Sequence, residues 1–268
     1  MVRLLKPPPF AYHRPETRAE VDALLAEHAG EAKILAGGQS LIPILNMRLA
    51  APEHLIDLNF LAGEPAEPVL EDGALVFGPL VRMRTAERSP LVGEHLPLLA
   101  DVLQYVAHPA IRSRGTIVGS IAHADPAAEL PALMVLLEGE ARVRGAGGRR
   151  TIAAAELFAG HLETSCRPGE WIEEVRLPVQ AGREGAFEEF ARRHGDYALC
   201  GVGALANGDG VALSFVGMAS VPERHVGDVA AAVAKLEPED DLHASAAYRR
   251  RLAEQLAARV IARVTEAV

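Results

Sequence analysis

Two glycine-containing segments constrain this chain more than any other feature. The first is residues 36–41, Ala-Gly-Gly-Gln-Ser-Leu, which continue directly from a short apolar strand predicted over residues 33–36. The second is residues 115–120, Gly-Thr-Ile-Val-Gly-Ser, followed by His-Ala-Asp-Pro-Ala-Ala-Glu at residues 123–129. Because glycine has no Cβ, backbone N–H groups in such segments can approach an anion closely and form a concave nest for it. Taken one at a time, each segment is more simply explained as a tight turn, and residue types alone leave both interpretations open.

The hydrophobic pattern elsewhere predicts a mixture of helices and strands. Thr17 and Glu20 form a capping box at the start of a helix that ends before Gly30. Residues 61–68, rich in proline, glycine and glutamate, are predicted to be a connector, and residues 180–185 mark the strongest internal boundary. Further helices are predicted over residues 97–107, 130–137, 226–235 and 244–264; strands over 54–58, 74–77, 171–177, 187–193, 198–205 and 211–218; a hairpin over 141–144 and 149–152; and a loop over 114–125.

The composition is that of an ordinary globular chain, with 49% hydrophobic and 24% charged residues. Its 27 basic and 36 acidic side chains give a net charge of −9, which argues against nucleic-acid binding through phosphate contacts. Two cysteines, Cys166 and Cys200, are too few for a disulfide scaffold or for the four thiolates that a [2Fe–2S] cluster usually takes. The sequence has no apolar run long enough to span a membrane and no signal-peptide pattern at its start, so we expect a cytoplasmic protein.

Several common catalytic and nucleotide-binding motifs are absent from the sequence, and one that is present is followed by the wrong predicted element. The sequence contains no His-Glu-x-x-His pair, no Gly-x-Ser-x-Gly elbow and no Walker loop. Residues 201–206, Gly-Val-Gly-Ala-Leu-Ala, fit a loose dinucleotide fingerprint. They continue into the turn Asn207-Gly208-Asp209-Gly210 and another predicted strand, whereas a Rossmann fold needs a helix at that point. We therefore interpret residues 201–206 as small residues packed within a strand.

The two glycine segments form part of a longer series of motifs in a fixed order. The other members are Pro9, Phe10, Tyr12 and Pro15; Phe158, Gly160 and Thr164; Pro168, Gly169 and Glu170 through Val175 and Pro178; and Arg193, Gly195 and Asp196 through Leu199. The whole series, which covers nearly all of the chain, resembles the FAD-binding medium subunit of the molybdenum hydroxylases of the carbon monoxide dehydrogenase and xanthine dehydrogenase type.

The resemblance implies an α+β fold and FAD as the cofactor. Residues 1–179 would form a PCMH-type FAD-binding domain, with subdomains of about residues 1–60 and 61–179, and residues 180–268 a C-terminal flavoprotein domain of three antiparallel strands and helices. The two glycine segments would close on the FAD pyrophosphate from the two subdomains. Asp125 and Glu129 would lie on the ribityl and flavin side. Ile172 would lie against the flavin region, and Tyr197 would face the isoalloxazine. The full set of cofactor-binding residues implied in this way is Leu35, Ala36, Gly37, Gly38, Gln39, Ser40, Leu41, Thr116, Ile117, Val118, Gly119, Ser120, Asp125, Glu129, Ile172 and Tyr197.

Two of these residues have a structural alternative. Asp125 precedes Pro126 and is also well placed to form an Asx turn. Tyr197 is also explained by ordinary packing in a core.

The sequence departs from the family pattern in three places, one of which is Ser165-Cys166, where a more apolar pair is expected after Thr164. Val118 takes the place of the first of two glycines, and we predict a negative φ for it, with any backbone strain at Gly119. Glu188 and Glu189 occupy positions where relatives often carry a lysine, which reverses the sign of a charge near the flavin or the acceptor site and leaves the acceptor open.

The activity implied by the resemblance is that of an oxidoreductase subunit. Substrate would be hydroxylated at a molybdenum cofactor on a large partner subunit, and electrons would pass through iron–sulfur clusters on a small partner subunit to FAD on this chain and then to an external acceptor. No catalytic acid or base and no metal ligand is predicted on this chain. The alternatives are a degenerate, non-redox nucleotide-binding scaffold or sensor of the same fold, and an independent flavoenzyme. Substrate choice lies on another subunit under the main interpretation, and NAD, quinone, oxygen or another protein are all open as the acceptor.

Overall fold

The computed structural model of the chain describes residues 6–208 and 210–266, which form three main sheets, a small hairpin and a series of helices. Residues 1–5 and 267–268 of the predicted domains, and Asp209 of the predicted turn, lie outside this description. The mixed arrangement of helices with mostly antiparallel sheets confirms the predicted α+β class.

The first sheet is small and parallel, with strand order β1-β3-β2. Helix α1 begins at the predicted capping box, where the Oγ1 of Thr17 accepts a hydrogen bond from the Glu20 backbone N–H at 3.2 Å. Helix α2, which the pattern did not predict, follows the first glycine segment directly. The bounds are β1 Ala11–His13, α1 Arg18–Glu27, β2 Ala32–Leu35, α2 Leu41–Asn46 and β3 His54–Asp57, with a 3-10 turn at Leu58–Phe60.

The second sheet has five antiparallel strands in the order β4-β5-β10-β6-β7. Its strands are β4 Val69–Glu71, β5 Ala74–Phe77, β6 Glu140–Gly145, β7 Gly148–Ala153 and β10 Trp171–Pro178. The helices in this part of the chain are α3 Met83–Arg88, α4 Pro90–His95, α5 Pro97–Tyr105, α6 Pro109–Arg112, α7 Ile117–His123, α8 Glu129–Leu136 and α9 Ala154–Leu157, and strands β8 Phe158–Gly160 and β9 Glu163–Thr164 form a separate hairpin. Fully buried Phe77, Leu99 and Leu103 belong to the main hydrophobic core between this sheet and its helices.

The predicted loop over residues 114–125 is wrong in one respect, because it contains helix α7. Ile117, Val118 and Ile121 are buried in the main core at helical spacing. The helix escapes a pattern-based prediction because it is only seven residues long and has Gly119 in its first turns. Tertiary packing therefore determines its conformation.

The third sheet has four antiparallel strands, in the order β11-β12-β13-β14. Three of them correspond to the predicted strands, and the fourth is a short edge strand that the sequence analysis missed. The bounds are β11 Gly185–Phe190, β12 Cys200–Asn207, β13 Gly210–Val216, β14 Arg224–Val226, α10 Val229–Ala234 and α11 Ala246–Glu266.

The interpretation of residues 201–206 as a packed strand is confirmed. They lie in β12, between β11 and β13. A Cβ built on Gly203 would stand 2.9 Å from Cδ2 of Leu136, so this glycine lets α8 pack closely on one face of the sheet. Leu256 and Val260 of α11 pack with Val202 and Ala204 on the other face.

A small third core joins the first sheet to the second. Val21 and Leu25 of α1 and Ile56 of β3 pack with Trp171 of β10. The first sheet is thereby fixed against the sheet that carries the main core. Within residues 6–208 and 210–266, no helix has the length and apolar character that crossing a membrane requires.

Candidate functional site

The two glycine segments are direct neighbours in the structure. Gly37, just after β2, lies against the backbone that precedes α7. A Cβ built on Gly37 would stand 2.5 Å from the carbonyl oxygen of Arg114 and 2.7 Å from the Cα of Gly115. No residue with a side chain fits at position 37 unless one segment moves, because these separations are far below van der Waals contact. The two glycine segments therefore meet at this point.

The first segment presents a row of free backbone donors. The N–H groups of residues 37–40 donate to no acceptor among the residues that the structure describes. Gly38 has a φ of 71°, in the left-handed region that favours glycine, and the Gln39 side chain turns back so that its Nε2 donates to the Gly37 carbonyl oxygen at 3.0 Å. Successive free N–H groups in a turn of this kind form a nest for an anion. The segment is therefore suited to hold a phosphate group.

The second segment is the beginning of helix α7. Thr116 is the N-cap, and its Oγ1 accepts a hydrogen bond from the N–H of Gly119 at 2.9 Å. A Cβ on Gly119 would lie 2.6 Å from that same oxygen, so a side chain at this position would displace the cap. Val118 lies in the helix and has the negative φ that we predicted, and Gly119 is not in the left-handed region either. The departure at Val118 thus leaves the backbone of this segment unstrained.

The side chains of Asn59 and Arg82, which the sequence patterns did not indicate, connect the two segments through hydrogen bonds to their backbone carbonyl oxygens. Asn59 donates from Nδ2 to the carbonyl oxygen of Ala36 at 2.9 Å. Arg82 donates from Nη1 to the carbonyl oxygen of Arg114 at 2.5 Å, and its Nη2 donates to Oδ1 of Asn59. One signal for Asn59 was available, because it closely follows β3, and the carboxyl ends of neighbouring parallel strands lie at the same edge of a sheet.

Positive charge accumulates at this junction. The guanidinium of Arg82 is half-buried, and burial together with the nearby charge of Arg114 lowers the pKa of Arg82 from its usual value. Two guanidinium groups therefore lie near one another at this junction, and the carboxylate of Asp57, which accepts a hydrogen bond from Asn59 and acts on Arg82 in the opposite direction, offsets part of their charge. This arrangement favours a ligand that carries negative charge.

Acidic groups gather beyond the carboxyl end of α7, where Asp125 and Glu129 follow it in the chain. Glu129, the first residue of α8, is 6% exposed, and burial followed by the charge of Asp125 raises its pKa to about 7. Burial and then the charge of Glu129 raise the pKa of Glu189 on β11 to about 8. Partial burial and the charge of Asp125 also raise the pKa of the Tyr197 hydroxyl. Each group influences the next, so the four side chains occupy one region, in which burial disfavours the ionised form of Glu189.

Of the other residues predicted to bind the cofactor, Asp125 and Tyr197 lie in this acidic region and Ile172 lies in the main core. Oδ1 of Asp125 accepts a hydrogen bond from the N–H of Ala127 at 2.9 Å, so the Asx turn is present. Tyr197 is 59% exposed, which contradicts its alternative role in core packing. Ile172 on β10 is buried in the main core together with Ile117.

Comparison with known proteins places the chain in a family. Residues 8–180 match the sequence profile of the FAD-binding domain in molybdopterin dehydrogenases. The chain belongs to this family. It is 34% identical over 279 residues to the carbon monoxide dehydrogenase medium chain of Hydrogenophaga pseudoflava, with 95% of this chain and 96% of that protein covered. It is 41% identical over 206 residues to the 6-hydroxypseudooxynicotine dehydrogenase complex subunit alpha of Paenarthrobacter nicotinovorans, which covers 76% of this chain and 69% of that protein.

The fold agrees with the same assignment. A chain in the structure of carbon monoxide dehydrogenase from Hydrogenophaga pseudoflava that lacks the Mo-pyranopterin moiety superposes with a TM-score of 0.90 at 33% identity, covering 97% of this chain and 98% of that one. The chain is thus an FAD-binding medium subunit of the molybdenum hydroxylase family, whose members are subunits of oxidoreductase complexes, and FAD is its cofactor. The predicted family and cofactor are confirmed. The assignment of individual residues to FAD stays a prediction.

Proposed function

We propose that this FAD-binding subunit transfers electrons within a molybdenum hydroxylase complex. Electrons would come from iron–sulfur clusters on a small partner subunit and pass through FAD to an external acceptor, while substrate is hydroxylated at a molybdenum cofactor on a large partner subunit. The chain has two cysteines, so a cluster held by four thiolates has to lie on another polypeptide. When bound, FAD supplies a centre that can take electrons singly and deliver them in pairs.

The observation that carries the proposal is the contact of Gly37 with the backbone of Arg114, beside the N–H groups of residues 37–40, which have no acceptor within residues 6–208 and 210–266. In the proposed site, residues 35–41 and 116–120 hold the pyrophosphate from two sides. A hydrogen bond to a charged group contributes about 1.5–3 kcal/mol, so several such donors are enough to anchor a diphosphate. Asp125 and Glu129 face the ribityl and flavin part, Ile172 provides an apolar wall, and Tyr197 lies against the isoalloxazine.

The proposed domain organisation follows from this site. The FAD-binding domain comprises residues 1–179, with subdomains of about 1–60 and 61–179, and the C-terminal domain comprises residues 180–268. The pyrophosphate lies where the two subdomains meet. The C-terminal domain contributes Tyr197, between β11 and β12, and Glu189 of β11 to the flavin side. The backbone N–H of Gly217 donates to the carbonyl oxygen of Pro126 at 2.8 Å, which fixes this domain beside Asp125.

The decisive experiment follows flavin absorbance in the purified complex and in the isolated chain. We expect molybdenum, iron and flavin in the complex, bleaching of the flavin when substrate is added without oxygen, and no bleaching by substrate in the isolated chain. Dithionite should bleach the flavin in both samples. A flavin that dithionite leaves oxidised would favour the non-redox module, and bleaching of the isolated chain by substrate would favour an independent flavoenzyme.

A matched pair of variants tests the pyrophosphate site. Gly38 and Gly63 have almost the same φ, 71° and 72°, so a valine at either position strains the backbone in the same way. A Cβ on Gly63 meets nothing within 4 Å, whereas one on Gly38 stands 3.1 Å from the side chains of Leu35 and Ile42. Gly38→Val and also Gly119→Val should abolish flavin retention, and Gly63→Val should retain it. Full flavin occupancy in both site variants would contradict the assignment of the two segments.

A further inference from the structure

Three histidines from three different elements lie together on the first sheet. His13 ends strand β1, His28 is the C-cap residue of helix α1, and His54 begins strand β3. Nitrogen atoms of the three rings all lie within 4.8 Å of one another. Strands β2 and β3 are parallel, and the glycine segment follows the carboxyl end of β2, so His54, which begins β3 beside Ala32, lies at the other end of these two strands from that segment. His13 ends the parallel strand β1 and pairs with Ile56. The proposed FAD site does not use these residues.

The rings already make close contacts with each other. Nε2 of His13 lies 2.9 Å from Nδ1 of His54, a hydrogen bond that requires one of the two nitrogens to carry no proton. The rings of His28 and His54 stack with their centroids 3.6 Å apart. The hydrogen bond between His13 and His54 thus already involves one ring nitrogen without a proton, the form of imidazole nitrogen that binds a metal ion.

Two carboxylates adjoin the cluster. Glu31, Glu53 and His54 form a second group whose potential ligand atoms also lie within 4.8 Å of one another. The backbone fixes this arrangement, because the N–H groups of both Glu53 and His54 donate to the carbonyl oxygen of Glu31, at 2.9 and 3.2 Å. A dication at the histidines would therefore have negative charge beside it.

We propose that His13, His28 and His54 form a binding site for a divalent transition-metal ion of the zinc type. Three imidazoles from separate elements are a ligand set that zinc, nickel and copper accept readily. Zinc–nitrogen bonds of about 2.0–2.1 Å place the nitrogens of a tetrahedral site about 3.3 Å apart. The 2.9 Å pair of His13 and His54 therefore has to open a little, and all three nitrogens already lie within 4.8 Å of one another. One of the stacked rings also has to turn, and His28 can do so because its nearest carboxylate, Glu27, is 3.9 Å away, too far for a hydrogen bond. The bound ion would connect the edge strand β1 to β3 and to the end of α1.

The experiment uses the full chain with FAD bound, after a chelator has removed any metal. This protein is titrated with Zn²⁺ in a calorimeter and with Co²⁺ in a spectrophotometer. We expect one zinc ion per chain, a Co²⁺ spectrum with nitrogen ligands, and a rise in the melting temperature on adding Zn²⁺. His28→Ala and His13→Ala should each lower the zinc affinity at least tenfold and remove the rise in melting temperature. His95→Ala, which changes a histidine outside the cluster on α4, should leave both unchanged, and circular dichroism checks that every variant is folded.

Two results would overturn the proposal. One is the absence of zinc binding tighter than millimolar in the unaltered chain. The other is undiminished binding in both His28→Ala and His13→Ala, which would place the ion elsewhere. Flavin content is measured in the same samples and should not differ between them, so a failure here is distinct from a failure of the proposed electron-transfer role.

Discussion

Glu188 and Glu189 are neighbours on strand β11, yet their side chains face opposite sides of the third sheet. Oε1 of Glu188 lies 2.8 Å from a guanidinium nitrogen of Arg259 on α11. Glu189 is on the other face, which it shares with Phe187 of the main core, and the charge of Glu129 contributes to raising its pKa. Successive residues of a strand alternate between faces, so two adjacent carboxylates have unrelated surroundings. The reversal of charge relative to the family pattern therefore concerns the acidic region at Glu189, while Glu188 is part of the contact with α11.

The burial of Glu189, which Glu188 does not share, leads to the first prediction, on how the stability of the chain depends on pH. The pKa values of Glu129 and Glu189, about 7 and about 8, lie above the usual value near 4.5, so the folded chain binds more protons than the unfolded chain between about pH 5 and pH 8. The contribution of these two groups is fully present at pH 4 and decreases as the pH rises through 7 and 8. Glu189→Gln, which stays neutral, should raise the melting temperature at pH 8.5 relative to the unaltered chain and change it little at pH 5. Melting curves between pH 5 and 9 measure this.

The matched control for this prediction is Glu188→Gln on the same strand. It removes the ion pair with Arg259, which is exposed and contributes little, so its melting temperature should follow that of the unaltered chain at every pH. Parallel curves for Glu189→Gln and the unaltered chain would show that Glu189 is ionised across this range.

Glu173 on β10 provides a second prediction, about the attachment of the first sheet. Its side chain is 3% exposed and lies 2.7 Å from Arg18 of α1, 3.1 Å from Arg144 of β6 and 2.7 Å from Arg149 of β7. Removing one partner from a buried ion network leaves uncompensated charge, so Glu173→Ala should lower the free energy of unfolding by about 3–5 kcal/mol. Glu156→Ala, at an exposed position on α9, should change it by less than about 0.5 kcal/mol. Denaturant unfolding of both variants measures these free energies. An equal loss in the two variants would mean that Glu173 is not essential to the network.

Local patterns in the sequence predicted most of the fold. Strand β5 is a continuous apolar run, strand β6 alternates in burial and leads through a glycine turn into β7, and helix α5 has a continuous apolar face. The elements that were missed, such as α7 and β14, are short, and their conformation depends on contacts with distant parts of the chain. A three-residue edge strand has too few positions for a period to be recognised.

The candidate site was predictable to the extent that its parts are local in sequence. The glycine segments can be recognised because their residue types are restricted by the backbone itself. The link through Asn59 and Arg82 joins residues that are 23 apart in the chain, and neither residue type is distinctive on its own. The raised pKa of Glu189 depends on its burial and on the charge of Glu129, 60 residues earlier in the chain, which no spacing in the sequence encodes.

Gly37 gives a third prediction, on the closeness of the two segments. Gly37→Ala places a methyl group 2.5 Å from the carbonyl oxygen of Arg114, so the segments have to separate. We expect the FAD affinity to fall roughly a hundredfold or more, since donors on both segments would lose their common geometry. Gly93→Ala is the control, because Gly93 lies in helix α4 with nothing within 4 Å, and this change should keep the affinity and stabilise the chain by about 0.5–1 kcal/mol. Fluorescence titration of the apoprotein with FAD measures both, and unchanged affinity in Gly37→Ala would mean that the contact does not matter for the cofactor.

The last prediction separates the geometry of Arg82 from its charge. The guanidinium donates to the carbonyl oxygen of Arg114 with one nitrogen and to Asn59 with another, and Asn59 in turn donates to the carbonyl oxygen of Ala36. A lysine keeps the positive charge but lacks the planar fork that makes both bonds at once. If Arg82 acts by fixing the distance between the segments, Arg82→Lys should weaken FAD binding about tenfold, corresponding to one or two lost hydrogen bonds. Asn59→Leu should have an effect of similar size, although it removes no charge.

The combination of these variants is informative because the two residues act in one chain of hydrogen bonds. The double variant Arg82→Lys with Asn59→Leu should weaken FAD binding hardly more than either single change, since the first change already breaks the link that the second removes. Arg88→Lys, at an exposed position on α3, should have no effect on the affinity. Strictly additive losses in the double variant would show that the two side chains act independently. Full affinity in Arg82→Lys would assign the role of Arg82 to its charge, because the distance between the segments would then be maintained without its two hydrogen bonds.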